Sequence, residues 1–259
     1  MRPIADLPVP EAARLRGLLF DLDDTLLSHG SLSESAYSAL FRLRESGLLL
    51  VAVTGRPAGW GAVLARQWPV AAVVAENGAI ALRRDGGRVI RIDPVAGGER
   101  AKRCERLRAI AAELTKRFDS LTPADDVDAR VTDYAFDIGE HRVVDDTTVT
   151  RIAAAARALG AQVTHSSVHL HISLDGDDKA SGAIRVLGEI AGTDATVARA
   201  RFAYIGDSEN DASCFAAFET TIAVANFRGR PTVPPRYRTD AAMGEGFAEA
   251  ARVLTARRR

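Results

Sequence analysis

Three carboxylates, Asp21, Asp23 and Asp24, interrupt the largely apolar stretch LLFDLDDTLL at residues 18–27. A buried strand that ends in like charges loses hydration and gains repulsion, so this cluster calls for a cation. Four more polar features stand at or beside the ends of apolar runs: TGR at 54–56, ENG at 76–78, Lys179, and GDSEND at 206–211. If those runs are parallel strands, their carboxyl ends share one crevice and the separate segments converge on it. Each segment alone has a plainer reading. Asp pairs and TGR suit turns, and GDSEND could cap a helix and continue as exposed polarity. Their shared placement is what favours a site.

The chemistry open to such a set is phosphoryl transfer onto a carboxylate nucleophile. Carboxylates repel a phosphate dianion, so the site needs compensating positive charge. Mg2+ suits hard oxygen ligands, and Asp21 and Asp207 can hold it together with the backbone carbonyl of Asp23. Lys179 adds a compact cation near nucleophile and phosphate. Thr54 offers a hydroxyl, and the Thr54 and Gly55 N–H groups can take phosphate oxygens. Asp23, two residues beyond Asp21, is offset to reach the leaving-group oxygen. It would give a proton first and later take one from the attacking water.

Hydrophobic periodicity supplies the elements that must position these groups. LRGLLF, LLLVAV (48–53) and AAVVA (71–75) read as buried parallel strands, with continuous rather than alternating apolar residues. Between them lie a helix capped by Ser33 and stopped at Gly47, and a helix opened by Pro57. RRDGGRVIRID predicts a hairpin around Asp85-Gly86-Gly87. A long helix follows, then DYAFDI as a strand, a helix over TVTRIAAAARALG, and two short strands around AQVTH and VHLHISL. The pattern then returns to helix (DDKASGAIRVLGEIAG), strand (RFAYIGD), helix (ENDASCFAAF), strand (TTIAVAN) and a closing helix. This order predicts an α/β fold: a doubly wound parallel-sheet core, residues 1–93 and 176–259, interrupted by an inserted α+β module at 94–175. Hinges for lid motion are expected near 92–95 and 174–178. Residues 1–15, with their prolines, read as a loosely docked extension, and the final RRR as a frayed end.

DLDDTLL, TGR, Lys179 and GDSENDASCF resemble, in order, the four motifs of the haloacid dehalogenase superfamily of phosphohydrolases. ENGA at 76–79 and the position of the insertion further resemble its Cof-type IIB branch, which includes sugar-phosphate phosphatases. The resemblance spans about residues 16–254 and implies a Rossmann-like core with a cap. It implies Asp21 as nucleophile, Asp23 as general acid/base, Lys179 as charge stabiliser, and Asp21, Asp23 and Asp207 as the magnesium site. Thr54, Gly55, Arg56 and Asn210 would bind substrate, and Asp211 and Asn77 would support them. Two positions depart from the pattern: Asp24 stands where Gly is usual, and Cys214-Phe215 replaces a common Met. The implied activity is Mg2+-dependent hydrolysis of a small-molecule phosphate ester, a sugar phosphate above others, through an aspartyl-phosphate. A phosphomutase, or a non-catalytic module that binds a phosphate ligand, are the alternatives.

The bulk numbers are ordinary for a soluble globular protein. The chain has 259 residues, 47% hydrophobic and 26% charged, with 34 basic against 34 acidic side chains. That balance gives no field for nucleic acid or a membrane surface. Two cysteines far apart predict neither a disulfide framework nor a zinc site. No signal pattern or spanning apolar run is visible, so a cytoplasmic monomer or weak homodimer is the expectation. His169 and His171 share one face of a strand, which reads either as a polar face or as a roof that touches the leaving group; His165 is the one further histidine nearby. Trp60 and Trp68 flank a helix and read as packing residues.

Overall fold

The computed structural model describes residues 1–165, 168–227 and 232–258. In chain order its strands and helices are β1 (Arg2–Pro3), α1 (Val9–Arg14), β2 (Gly17–Phe20), α2 (Glu34–Glu45), β3 (Leu49–Val53), α3 (Ala58–Gln67), β4 (Ala72–Ala75), β5 (Ile80–Asp85) and β6 (Arg88–Ile92). Then follow α4 (Gly97–Arg117), β7 (Thr122–Pro123), β8 (Asp133–Asp137), α5 (Asp146–Ala158), β9 (Gln162–His165) and β10 (His169–Ser173). The last part holds α6 (Lys179–Ala191), α7 (Ala195–Arg201), β11 (Phe202–Gly206), α8 (Ala212–Ala217), β12 (Thr220–Ala223), β13 (Tyr237–Arg238) and α9 (Met243–Ala256).

Among the described residues nine strands form one sheet, in the order β1-β13-β12-β11-β2-β3-β4-β5-β6. Pairing is parallel from β1 across to β4, and the β5–β6 hairpin closes the edge antiparallel. The apolar runs are continuous because both faces of the sheet are covered, and neighbouring residues of one strand enter opposite cores. Leu18 and Phe20 pack with α2, α3 and α9, whereas Leu19 packs with α6, α7 and α8. The predicted caps form: the Ser33 hydroxyl accepts from the Ala36 N–H at 3.3 Å, and Gly47 stops α2 at φ 83°.

Strands β7, β8, β10 and β9 make a separate four-stranded antiparallel sheet. Phe136, Leu170 and Ile172 bury one face of it against Leu107, Leu114 and Ile152 of α4 and α5. The other face carries Asp133, Asp137, His169 and His171. Both chain connections to this unit meet at Arg100 of α4, whose guanidinium bonds Asp93 at 2.9 and 3.0 Å and Asp175 at 2.5 Å. The two expected hinges are thus tied together by one buried arginine.

Both ends differ from expectation. Residues 1–15 are integral: β1 extends the large sheet, and Ile4, Leu7, Ala12 and Leu15 are buried. Prolines 8 and 10 open α1, where a missing N–H costs nothing. Nor do Arg257 and Arg258 fray. Arg257 donates to the Leu7 and Ala5 carbonyls, and Arg258 reaches the carbonyls of Leu15 at 2.6 Å and Ala12 at 3.2 Å; Arg259 lies outside the described residues. Backbone carbonyls left free by the turn at Ile4–Asp6 and at the end of α1 are good acceptors for a cation. Replacing both arginines by Ala is expected to cost about 1–2 kcal/mol, read as a Tm lower by about 4 °C; an unchanged melting curve would show the contacts to be idle. No helix among the described residues is long and apolar enough to cross a membrane.

Candidate active site

Asp21 leaves β2 at its carboxyl end, its N–H still held by the Ile205 carbonyl at 3.0 Å. Next comes one irregular turn, Leu22–Leu26, in which Asp24 adopts a left-handed backbone at φ 53°. That conformation explains why Gly is usual here, and Asp is among the few residues that tolerate it. The Asp24 carbonyl accepts from Asn226 Nδ2 at 2.9 Å and its carboxylate from the His29 N–H at 3.3 Å, so the extra carboxylate serves the turn.

Lys179, the first residue of α6, is the buried cation the sequence calls for. Its Nζ lies 2.8 Å from Asp21 Oδ1 and 2.8 Å from Asp211 Oδ1, with its side chain only 2% exposed. Asp178 caps the helix through the Ser181 N–H at 2.8 Å and so fixes where the ammonium enters. Burial alone would depress that ammonium, but the two carboxylates raise it well above its ordinary value. Asp211 is braced on all sides. Oδ1 also accepts from the Tyr204 hydroxyl at 2.6 Å, and Oδ2 takes the Asp207 and Ser208 N–H groups at 3.0 and 3.1 Å. Gly206 is required for this, since a Cβ there would collide with the Asp211 carboxylate. Tyr204 and Thr25, which donates to Asp207 Oδ1 at 3.2 Å, were not singled out by sequence. The signal for Tyr204 was a hydroxyl inside a buried strand, which must find a partner.

Carboxylate oxygens of Asp21, Asp207 and Asp211 lie within 4.8 Å of one another. Burial raises the Asp21 carboxyl well above the ordinary range, and the Asp211 and Asp207 charges add to it against Lys179. Burial, helped by Asp211, pushes Asp207 up to about 7. One ammonium therefore does not neutralise the group, and a hard divalent cation fits the donor set. With Asp211 committed to its braces, Asp21 and Asp207 are the carboxylates suited to hold it. Raised native pKa values mean that stability is fullest below the ordinary carboxylate range and is lost as pH rises through about 7. A cation bound to the ionised acids offsets that loss. The Tm increase on adding Mg2+ is accordingly expected to be larger near pH 8 than near pH 5.5; equal increases would refute the assignment.

Asp23 turns its carboxylate to Arg56, which clasps it through Nε at 3.0 and 3.1 Å and Nη2 at 2.6 Å. The same guanidinium lies over the Trp60 ring, 4.5 Å from its centroid. Trp60 is 48% exposed, so the expectation that it packs inside is wrong: the register of α3 puts it beside Arg56 at the surface. Trp68 does pack, against Tyr37. The TGR loop also differs from expectation. The Thr54 N–H continues the β3–β4 ladder to the Val74 carbonyl at 2.8 Å and is not open to phosphate. The Arg56 N–H goes to the Thr54 hydroxyl oxygen at 3.1 Å, which leaves the Thr54 O–H hydrogen and the Gly55 N–H for a ligand. Asn77 and Asn210 meet at 3.3 Å, Nδ2 of Asn210 donating.

The connection between β7 and β8 reaches the crevice through Arg130, which donates to the Gly55 carbonyl at 3.2 Å. Asp133 holds Arg130 at 3.0 Å and His171 Nδ1 at 2.8 Å, whereas His169 pairs with Glu140 at 2.7 Å. His171 is thus brought near the TGR loop through its neighbours. Arg130 and Asp133 carried no signal in sequence beyond charge. The His165 side chain lies outside what is described.

Residues 18–118 match the family model of haloacid dehalogenase-like hydrolases. No curated protein sequence matches the chain. Solved structures are similar over nearly its full length. Protein 0175 of Thermoplasma acidophilum aligns with TM-score 0.76 at 20% identity, covering 93% of this chain and 98% of that one. The sucrose-phosphatase of Synechocystis sp. PCC6803, in complex with sucrose and phosphate, aligns at 0.66 with 16% identity and coverages of 93% and 98%. The subclass IIB sugar phosphatase BT4131 aligns at 0.65 with 16% identity and coverages of 92% and 98%. At these identities the likeness is one of fold.

Proposed function

We propose that this chain, of the haloacid dehalogenase-like type by its fold and by the match of residues 18–118, is a Mg2+-dependent phosphatase of a small phosphorylated metabolite, a sugar phosphate. The observation that carries the reading is the buried Lys179 ammonium shared at 2.8 Å by Asp21 and Asp211 beside Asp207, at the strand ends where TGR and Asn77 also gather. The sugar assignment is supported by the neighbouring structures named sucrose-phosphatase and sugar phosphatase.

In this mechanism an Asp21 carboxylate oxygen attacks phosphorus while the ester P–O bond breaks. The leaving alkoxide takes its proton from Asp23, and the phosphoryl group remains on Asp21 as an acyl phosphate. Asp23, now ionised, accepts a proton from water as that water attacks phosphorus; the P–O bond to Asp21 breaks and inorganic phosphate departs. Bound Mg2+ would supply positive charge to the phosphoryl oxygens. Lys179 stabilises the same charge from the protein side, and Thr54 and Gly55 orient the oxygens by hydrogen bonds. Arg56 holds the Asp23 carboxylate in place between the two steps.

The test is a panel of phosphorylated metabolites with Mg2+, run on wild type and Asp23→Asn. A sugar alkoxide needs the proton and an aryl phenolate barely does. Asp23→Asn is expected to lower kcat about 100-fold or more on the sugar phosphate and far less on an aryl phosphate. No turnover of any ester by the wild type would overturn the reading. Transfer of phosphate to a second sugar position in place of water would favour a mutase.

A further inference from the structure

Glu76, read from sequence only as part of ENG at the end of an apolar run, sends its carboxylate away from the phosphate crevice and onto the start of β8 and the loop before it. It is 3% exposed, and both it and Asn77 have left-handed backbones, at φ 49° and 54°. Oε1 accepts from the Ala58 N–H at 2.8 Å and the Val131 N–H at 2.9 Å. Oε2 accepts from the Thr132 N–H and hydroxyl, both at 2.5 Å, and from the Asp133 N–H at 3.2 Å. A carboxylate serving only as the cap of α3 would need the Ala58 N–H alone. Here four of the five donors come from residues 131–133 of the insertion. Burying an anion is costly, and a ring of donors is what makes it tolerable.

The same residue is wired to the site. Its N–H donates to the Arg56 carbonyl at 3.0 Å, and the Asn77 N–H to the Thr54 carbonyl at 3.1 Å. From Asp133 the contacts run on to His171 and to Arg130, and from Arg130 back to the Gly55 carbonyl. The TGR loop is therefore gripped from the core through Glu76 and from the insertion through Arg130. The Arg100 clamp on Asp93 and Asp175 holds the chain connections elsewhere, so Glu76 is a second anchorage for the insertion.

We propose that Glu76 is the socket in which the core docks the inserted module, a positioning residue that sets where the Arg130–Asp133–His171 face stands over the TGR loop. The part of this that concerns turnover rests on the phosphatase reading; the docking itself does not. In Glu76→Gln one oxygen can still cap α3, while the new NH2 confronts N–H donors in place of an acceptor. Charge-assisted hydrogen bonds of this kind are worth enough for about a tenfold effect each.

The measurement is amide hydrogen exchange over 131–133 with small-angle scattering, in parallel with kinetics on a sugar phosphate and an aryl phosphate. Wild-type amides at 131–133 are expected to be protected, and Glu76→Gln to speed their exchange at least about tenfold and enlarge the scattering envelope. KM for the larger sugar ester should rise more than for the aryl ester. Thr132→Val, which removes only the hydroxyl donor, should give a smaller change in the same direction and serves if Glu76→Gln does not fold. Exposed-loop exchange rates at 131–133 in the wild type overturn the proposal. So do unchanged exchange and scattering in the variants with both substrates slowed alike. If the wild type hydrolyses nothing, the phosphatase reading fails while exchange and scattering still decide the docking.

Discussion

Asp21→Asn is expected to abolish turnover, by about 10⁴-fold or more on any phosphate ester, and at the same time to raise the melting temperature measured in EDTA. The two effects have one cause. Asp21 is buried beside Asp207 and Asp211, and its ionised form is disfavoured by burial first and by those charges next. An amide of the same shape keeps an oxygen for Lys179 and removes a charge that burial and two neighbouring carboxylates disfavour, the trade of stability for activity expected if Asp21 is the nucleophile. The stabilisation conferred by Mg2+ should shrink in the variant, because one of the two carboxylates suited to the cation is gone. Residual turnover above about 1% of wild type would exclude Asp21 as nucleophile. A fall in Tm would mean that the Asp21 charge is better compensated than its surroundings imply.

The core of the site was legible because it is written locally. Asp21, Thr54, Asn77 and Asp207 each sit one or two residues past an apolar run, so recognising strands was enough to bring them together. Lys179 was legible for a related reason: it starts a helix whose cap, Asp178, is adjacent in sequence. What escaped is what depends on distant partners. Glu76 looks like one more polar residue at a strand end until its acceptors are matched with donors 55–57 positions away, and Arg130 looks like solvent charge until it meets Gly55. Average burial misleads for Trp60, because the core side of α3 is centred on Ala58, Gly61 and Ala65, and a position about 100° or more around the helix from each of them faces outward beside Arg56. The prolines near the amino end suggested looseness, yet Ile4, Leu7, Ala12 and Leu15 have the apolar spacing of a docked segment.

Lys179→Met keeps the volume and removes the charge, leaving Asp21, Asp207 and Asp211 without their ammonium. Breaking a buried ion pair from one side costs about 3–5 kcal/mol, so a Tm drop of about 10 °C in EDTA is expected, with activity reduced about 10³-fold even in Mg2+. Lys179→Arg should not rescue it, since a planar guanidinium cannot replace a point charge set 2.8 Å from two carboxylates in so small a space. The pH dependence separates charge from packing. Lys179 lowers the carboxyl pKa values of Asp21 and Asp207, so its removal raises both further. The native variant then binds more protons than the unfolded chain over a wider range, and its stability falls as pH rises. At pH low enough to protonate the acids the variant should approach wild type, and the gap should widen toward pH 8. A gap of constant size would assign Lys179 a packing role and leave the acids compensated by something else. A widening gap ties the charge of the whole cluster to this one ammonium, and with it the need for a second cation before a phosphate dianion can enter.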